Sequence, residues 1–126
     1  MEIVGSEARK HFNLKDVEEF RGKFFLRKRL FETSDMHFNV YCIAAGQENP
    51  LHRHPDSDEI LYFVEGTGVC VCGDETYDVK TGDLVFVPKD VPHAIRNTHE
   101  SENMVCILAQ SPLPCVHVAV NRKPTS

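Results

Sequence analysis

The chain has 126 residues and a formal charge of −5, with 41% apolar residues, eight Phe, three Tyr and no Trp. That length supports one hydrophobic core and not two. The acidic balance excludes a general nucleic-acid binder, which carries a basic stripe, and no apolar run reaches the roughly 18 residues of a membrane span.

Residues 1–7 show no basic region followed by a long apolar stretch, so no secretory leader is expected. Asn13 can cap a helix, Leu14, Val17 and Phe20 follow at helical spacing, and Gly22 stands where it would stop; this predicts a short N-terminal helix. Next comes a basic run, Arg21, Lys23, Arg27, Lys28 and Arg29, interleaved with apolar residues. It reads as a solvated strand face in preference to an anion-binding patch.

From there the chain reads as β to its end. Short apolar runs fall at 38–45, 60–64, 69–72, 84–87, 105–109 and 116–120, separated by turns rich in Gly, Pro and Asp. Many short strands at intervals of about 8–12 residues predict a sandwich or barrel. Residues 122–126 read as a frayed tail. The runs 60–64 and 84–87 are apolar at every position. A strand with one wet face should alternate, so a second subunit is expected to cover the outer face of one or the other, giving a homodimer; cover by the N-terminal segment is the alternative. Cys42, Cys70, Cys72, Cys106 and Cys115 are odd in number and form no C-x-x-C. Reduced thiols in a cytoplasm are expected, with Cys70 and Cys72 packing as small apolar residues.

Two clusters carry chemistry. In the first, His52 and His54 are two apart, so on a strand both imidazoles point the same way. A turn over 55–58 follows, and a hairpin would return Glu59 beside them. In the second, His93 opens a strand after a turn bounded by Pro88 and Pro92. Three imidazole nitrogens and one carboxylate aimed into a barrel suit a borderline divalent metal.

These residues carry a resemblance to the cupin superfamily, in particular its small single-domain members of the conserved-barrel, or cupin 2, type. The first cupin motif is met by Gly46, five residues, His52, Arg53, His54, four residues, Glu59, six residues and Gly66. The second is met by Gly82, five residues, Pro88, two residues further Asp90, then His93, three residues and Asn97. Asp90 departs from the family's usual Gly, in a turn where Asp is tolerated. The resemblance implies an all-β, antiparallel jelly-roll barrel over 36–121, preceded by a helix and strand extension over 1–35. It implies one divalent ion per subunit (Mn, Fe, Ni, Co or Zn) on His52, His54, Glu59 and His93, with Gly46, Gly66, Gly82, Pro88 and Asn97 structural. Asp58 fits a shorter motif spacing; Glu59 is preferred because the apolar strand follows it at once and its side chain reaches further. His11, His37, His99 and His117 fit no motif position and read as surface or packing residues, and Arg53 should point outward.

Cupins resembling this chain include dioxygenases, decarboxylases, isomerases and lyases that act on small organic acids or carbonyl compounds. The alternative is a module that binds or senses a small acid on its metal without turning it over. Tyr62, Tyr41 and Glu48 are the candidate proton carriers, with Tyr62 expected to face outward; the catalytic group is left open.

Overall fold

The computed structural model describes residues 2–121, and the tail expected at 122–126 lies outside the described residues. Ten strands follow one short turn of helix: β1 Leu26–Glu32, β2 His37–Ile43, β3 Glu48–Arg53, β4 Asp58–Glu65, β5 Thr67–Cys72, β6 Glu75–Lys80, β7 Leu84–Val87, β8 His93–Arg96, β9 Met104–Ser111 and β10 Val118–Ala119. They form two five-stranded sheets, ordered β1-β2-β9-β4-β7 and β10-β3-β8-β5-β6, with every neighbour antiparallel. Among the described residues no helix is long and apolar enough to cross a membrane.

Period-two alternation decides what fills the space between the sheets. Along β4, Glu59, Leu61 and Phe63 are buried while Ile60 and Tyr62 are exposed. Along β9 the inward positions are Met104, Cys106, Leu108 and Gln110, and along β8 His93 and Ile95. The inner apolar cluster joins Ile43, Leu61, Phe63, Ile95, Met104 and Leu108. Gly66 ends the first motif at φ +88°, and a side chain there would run into the backbone of Asn103 and Met104. Only glycine meets both demands.

The expected N-terminal helix is a single 3-10 turn, Leu14–Asp16. Asn13 does cap it, its Oδ1 accepting from Lys15 N at 2.9 Å. The turn does not propagate because the Val17 carbonyl, needed by the next turn, accepts instead from Lys28 Nζ at 2.8 Å. Leu14, Val17 and Phe20 still reach one apolar cluster, with Val4, Phe12, Val40, Val105 and Ile107. So short a helix gains little against its nucleation cost, and tertiary packing decides the path.

That N-terminal segment covers the outer face of β1, β2 and β9 and reaches Val64 at the end of β4, but not the rest of β4 or β7. Ile60 pairs with Phe86 and Tyr62 with Leu84 across the β4–β7 ladder. All four are exposed, Leu84 at 69% and Phe86 at 58%.

Candidate metal centre

His52 lies near the end of β3, His54 just past it, Glu59 near the start of β4, and His93 at the first position of β8. His52 is in register with His93 across the β3–β8 ladder, their rings 4.1 Å apart between centroids. The hairpin expected to return Glu59 is not formed, because β3 and β4 belong to opposite sheets. The turn between them crosses the barrel, held where Ser57 Oγ donates to the Pro112 carbonyl at 2.7 Å. Glu59 therefore meets the histidines across the interior. One ligand atom from each of His52, His54, Glu59 and His93 lies within 4.8 Å of the others, and none of these residues is more than 3% exposed.

The hydrogen bonds fix which atoms are free. Nδ1 of His52 donates to the Pro50 carbonyl at 2.8 Å, that of His54 to Val116 at 3.0 Å, and that of His93 to Val91 at 2.9 Å. A carbonyl only accepts, so each neutral ring carries its proton on Nδ1 and a lone pair on Nε2. Gln110 Nε2 donates to Glu59 Oε1 at 3.2 Å, leaving Oε2 2.7 Å from His93 Nε2 and 3.7 Å from His54 Nε2. Oε2 and both Nε2 atoms are buried with no hydrogen-bond partner. Facing lone pairs at such distances require a positive charge between them, either a proton or a metal ion. Atoms about 2.0–2.2 Å from one ion would stand at comparable separations. The four residues could hold a metal ion, and the backbone acceptors behind the rings are the supports metal-binding histidines use.

The electrostatics agree. Burial, then the neighbouring His93, pushes His52 down to about 3, so its ring is neutral at ordinary pH. Burial works to raise the Glu59 carboxyl, but the close approach of His93, then of His54, and the hydrogen bond from Gln110 together hold the group below its usual value.

Other sequence candidates divide cleanly. Asp58 lies outside the cluster, its Oδ1 accepting from Lys89 N at 3.1 Å. Asp90 adopts φ 65°, the left-handed conformation its family's glycine would supply, and its carboxylate pairs with the Arg53 guanidinium, which faces outward as expected. Tyr62 faces outward. Glu48 pairs with Arg96 at 3.3 Å on the surface. Tyr41 is buried and lines an open cavity of ≈ 590 Å³ together with Arg27, Asn49, His52 and His117. Burial, then Glu59, raises its hydroxyl well above its ordinary value, so it stays protonated.

Sequence reasoning missed His117, Gln110, Asn39 and Arg27. His117 is the exposed packing residue expected, and it stacks on His52 at 4.6 Å and 17°, a place beside the cluster that the sequence did not show. The β10–β3 pairing brings it there, and no motif spacing signals that pairing. Gln110 and Asn39 did leave a signal: each is a lone polar residue in the inward phase of an apolar strand. Asn39 Nδ2 donates to Gln110 Oε1 at 3.4 Å, and Arg29 Nε to Asn39 Oδ1 at 3.2 Å, so a polar chain runs from Glu59 to the surface. The basic run is not one solvated face. Lys28 turns to the N-terminal segment, whereas Arg27, in register with Tyr41, lies on the opposite side of the sheet and is exposed. His37 sits 2.8 Å from Glu32, and His99 Nδ1 accepts from Ser101 N and Glu102 N; both are packing residues.

Comparison with known proteins agrees with this geometry. The chain is 38% identical over 72 residues to the uncharacterized protein MJ1618 of Methanocaldococcus jannaschii, covering 49% of this chain and 58% of that one. It is 34% identical over 71 residues to an oxalate decarboxylase of Arthroderma benhamiae, covering 52% of this chain but 17% of that one. The fold superposes on TT1209 from Thermus thermophilus with a TM-score of 0.78 at 26% identity, covering 83% of this chain and 99% of that one. The cupin domain model matches residues 39–109, more than half of the sequence and the whole span between and around the two motifs, and the chain belongs to the cupin domain family.

Proposed function

We propose that this chain is a metal-dependent cupin enzyme acting on a small organic acid or carbonyl compound, with His52, His54, Glu59 and His93 holding one divalent ion, Mn, Fe, Ni, Co or Zn. The observation that carries the reading is the convergence of unpartnered Nε2 and Oε2 atoms beside a cavity whose wall includes His52. When bound, such an ion supplies Lewis-acid or one-electron chemistry to an oxygen donor. The chain's own part is to orient the imidazoles through backbone carbonyls, to hold Glu59 through Gln110, and to place Tyr41, Asn49, Arg27 and His117 around the bound acid. Similarity to an oxalate decarboxylase supports a carboxylate substrate; decarboxylase, dioxygenase, isomerase and lyase activities all fit. Five free thiols support a reducing, cytoplasmic setting.

The test is metal analysis of protein purified without added metal, then a dioxygen-uptake and product screen with small organic acids. The wild type should carry close to one ion per chain and His52→Ala little; equal metal in both overturns the site. One observation favours a binding module instead: the residues lining the cavity include no Asp or Glu that could serve as a carboxylate base. Tight ligand binding without turnover in the screen would select that reading.

A homodimer through Ile60, Tyr62, Leu84 and Phe86 belongs to the same proposal. The patch lies on β4 and the edge strand β7, whose free backbone groups a second copy can pair about a two-fold axis. Light scattering should give twice the chain mass, and Phe86→Glu should give the monomer. A wild-type monomer at micromolar concentration rejects it.

A further inference from the structure

We infer that Arg27 is the anchor for a second acidic group on the ligand, so that the cavity selects small dicarboxylates, or acids of similar length, over their mono-amides. The inference rests on the metal-dependent reading above and extends it to the far wall of the cavity.

The argument begins with the register. Arg27 stands directly opposite Tyr41 in the β1–β2 ladder, and directly opposed residues project from the same face of a sheet. Tyr41 belongs to the inner core, so Arg27 leaves the edge strand β1 on that side of the sheet, as an exposed residue at the rim where the cavity opens. Four other arginines hold carboxylates: Arg21 with Glu19, Arg29 with Glu32, Arg53 with Asp90 and Arg96 with Glu48. Among the described residues Arg27 has no such partner, although Arg29, two positions on and facing the same way, is held by Asn39 and Glu32.

The rest of the lining points the same way. The cavity wall contains no Asp or Glu. Its polar groups are the Arg27 guanidinium, the Tyr41 hydroxyl, the Asn49 amide and the imidazoles of His52 and His117. The hydroxyl and the amide can each donate as well as accept, the guanidinium only donates, and a wall with one guanidinium and no acid is complementary to an anion. A planar guanidinium matches a carboxylate with two parallel hydrogen bonds, which an amide cannot reproduce. His52 belongs both to this wall and to the metal-binding cluster. A ligand lying in the cavity therefore has its two ends in different settings, one toward the cluster and one toward Arg27. The ≈ 590 Å³ volume accommodates a small diacid with room for water.

Succinate and succinamate separate the two ends, because each keeps one carboxylate for the metal while only succinate has a second for Arg27. Both are titrated calorimetrically into nickel-loaded wild type, Arg27→Gln, Arg27→Lys and Lys10→Gln, with metal content measured on each sample. Lys10 is an exposed residue outside the cavity lining and makes the same change of charge. Wild type and Lys10→Gln should bind succinate about tenfold or more tightly than succinamate, the worth of a charged hydrogen-bonded pair. Arg27→Gln should bind the two equally at unchanged metal content, and Arg27→Lys should restore part of the preference. A preference that survives Arg27→Gln, or equal affinities in the wild type including binding of neither, overturns the inference. If the wild type takes up neither nickel nor manganese, iron, cobalt or zinc offered in its place, the metal-dependent reading fails separately. Arg27 is then judged on the metal-free chain by NMR: shifts at Asn49 and His117 induced by succinate but not succinamate, and lost in Arg27→Gln, support it, and equal shifts in both proteins overturn it.

Discussion

The two ends of the barrel interior are built on the same strands yet follow opposite rules. At one end Phe63, Cys106, Met104, Ile43 and Ile95 close on one another with no polar side chain among them. Two or four residues along the same strands, the inward positions are Glu59, Gln110, Asn39 and His93. The apolar end gains stability from every contact. The polar end buries atoms without partners, each of which costs free energy until a cation meets them. Fold stability is thus concentrated where no chemistry is placed, and that rigid end fixes the strand register that aims the ligands.

The largest effect should come from breaking the apolar end. Phe63 is 1% exposed and central to the inner cluster, and truncating a buried Phe typically costs about 3–5 kcal/mol. Phe63→Ala should lower the denaturation midpoint accordingly while the folded fraction still binds one ion per chain. Loss of the metal at intact stability would show that the two ends are not divided in this way.

Acid should act on the other end. In the folded metal-free chain burial and His93 push His52 down to about 3, against the 6.5 of an exposed imidazole in the unfolded chain. Between these limits the unfolded chain binds the extra proton, so stability falls as pH drops from 6.5 toward 3 and is unaffected by this group above 6.5. The slope is about 1.4 kcal/mol per pH unit for each such proton. Denaturant melts of wild type and His52→Ala across that window check the sign: the wild type should lose more stability on acidification. Parallel curves would mean that burial does not hold this ring neutral.

Much of this contrast was legible in the sequence, unevenly. Spacing put His52 and His54 on one face, because side chains two apart on a strand share it, and the cupin motifs supplied Glu59 and His93 to complete the set that the fold brings together. Spacing failed on how Glu59 arrives, since nothing local tells a hairpin from a crossing between sheets. It overlooked β6, where Val79 is the single buried residue and the rest is polar, as befits an edge strand. Of the two covers considered for 60–64 and 84–87, the N-terminal segment packs over β1, β2 and β9 and reaches Val64, but leaves Ile60, Tyr62, Leu84 and Phe86 exposed. Arg27 and His117 are exposed, as their sequence reading had them, but their place beside the cavity could not be read because their neighbours in space, Tyr41 and His52, are far away in sequence.

The finest test asks whether the polar end depends on residues that touch no ion. Gln110 donates to Glu59 Oε1 and accepts from Asn39, so it sets the rotation of the carboxylate that turns Oε2 toward His54 and His93. Gln110→Met keeps the length and the burial but removes the donor. Oε1 then loses its hydrogen bond, and the carboxylate is free to turn away from the histidines. Changes to such supporting groups typically weaken metal binding about ten- to a hundredfold, and the low end is expected here because Glu59 is still confined by its neighbours. Asp58→Asn is the matched control, since Asp58 is next in sequence but accepts from Lys89 N outside the cluster. Competition with a chromophoric chelator should show weaker binding in Gln110→Met and wild-type affinity in Asp58→Asn. If Asp58→Asn loses the metal and Gln110→Met does not, the carboxylate assignment is wrong, and with it the division of the interior into a supporting and a binding end.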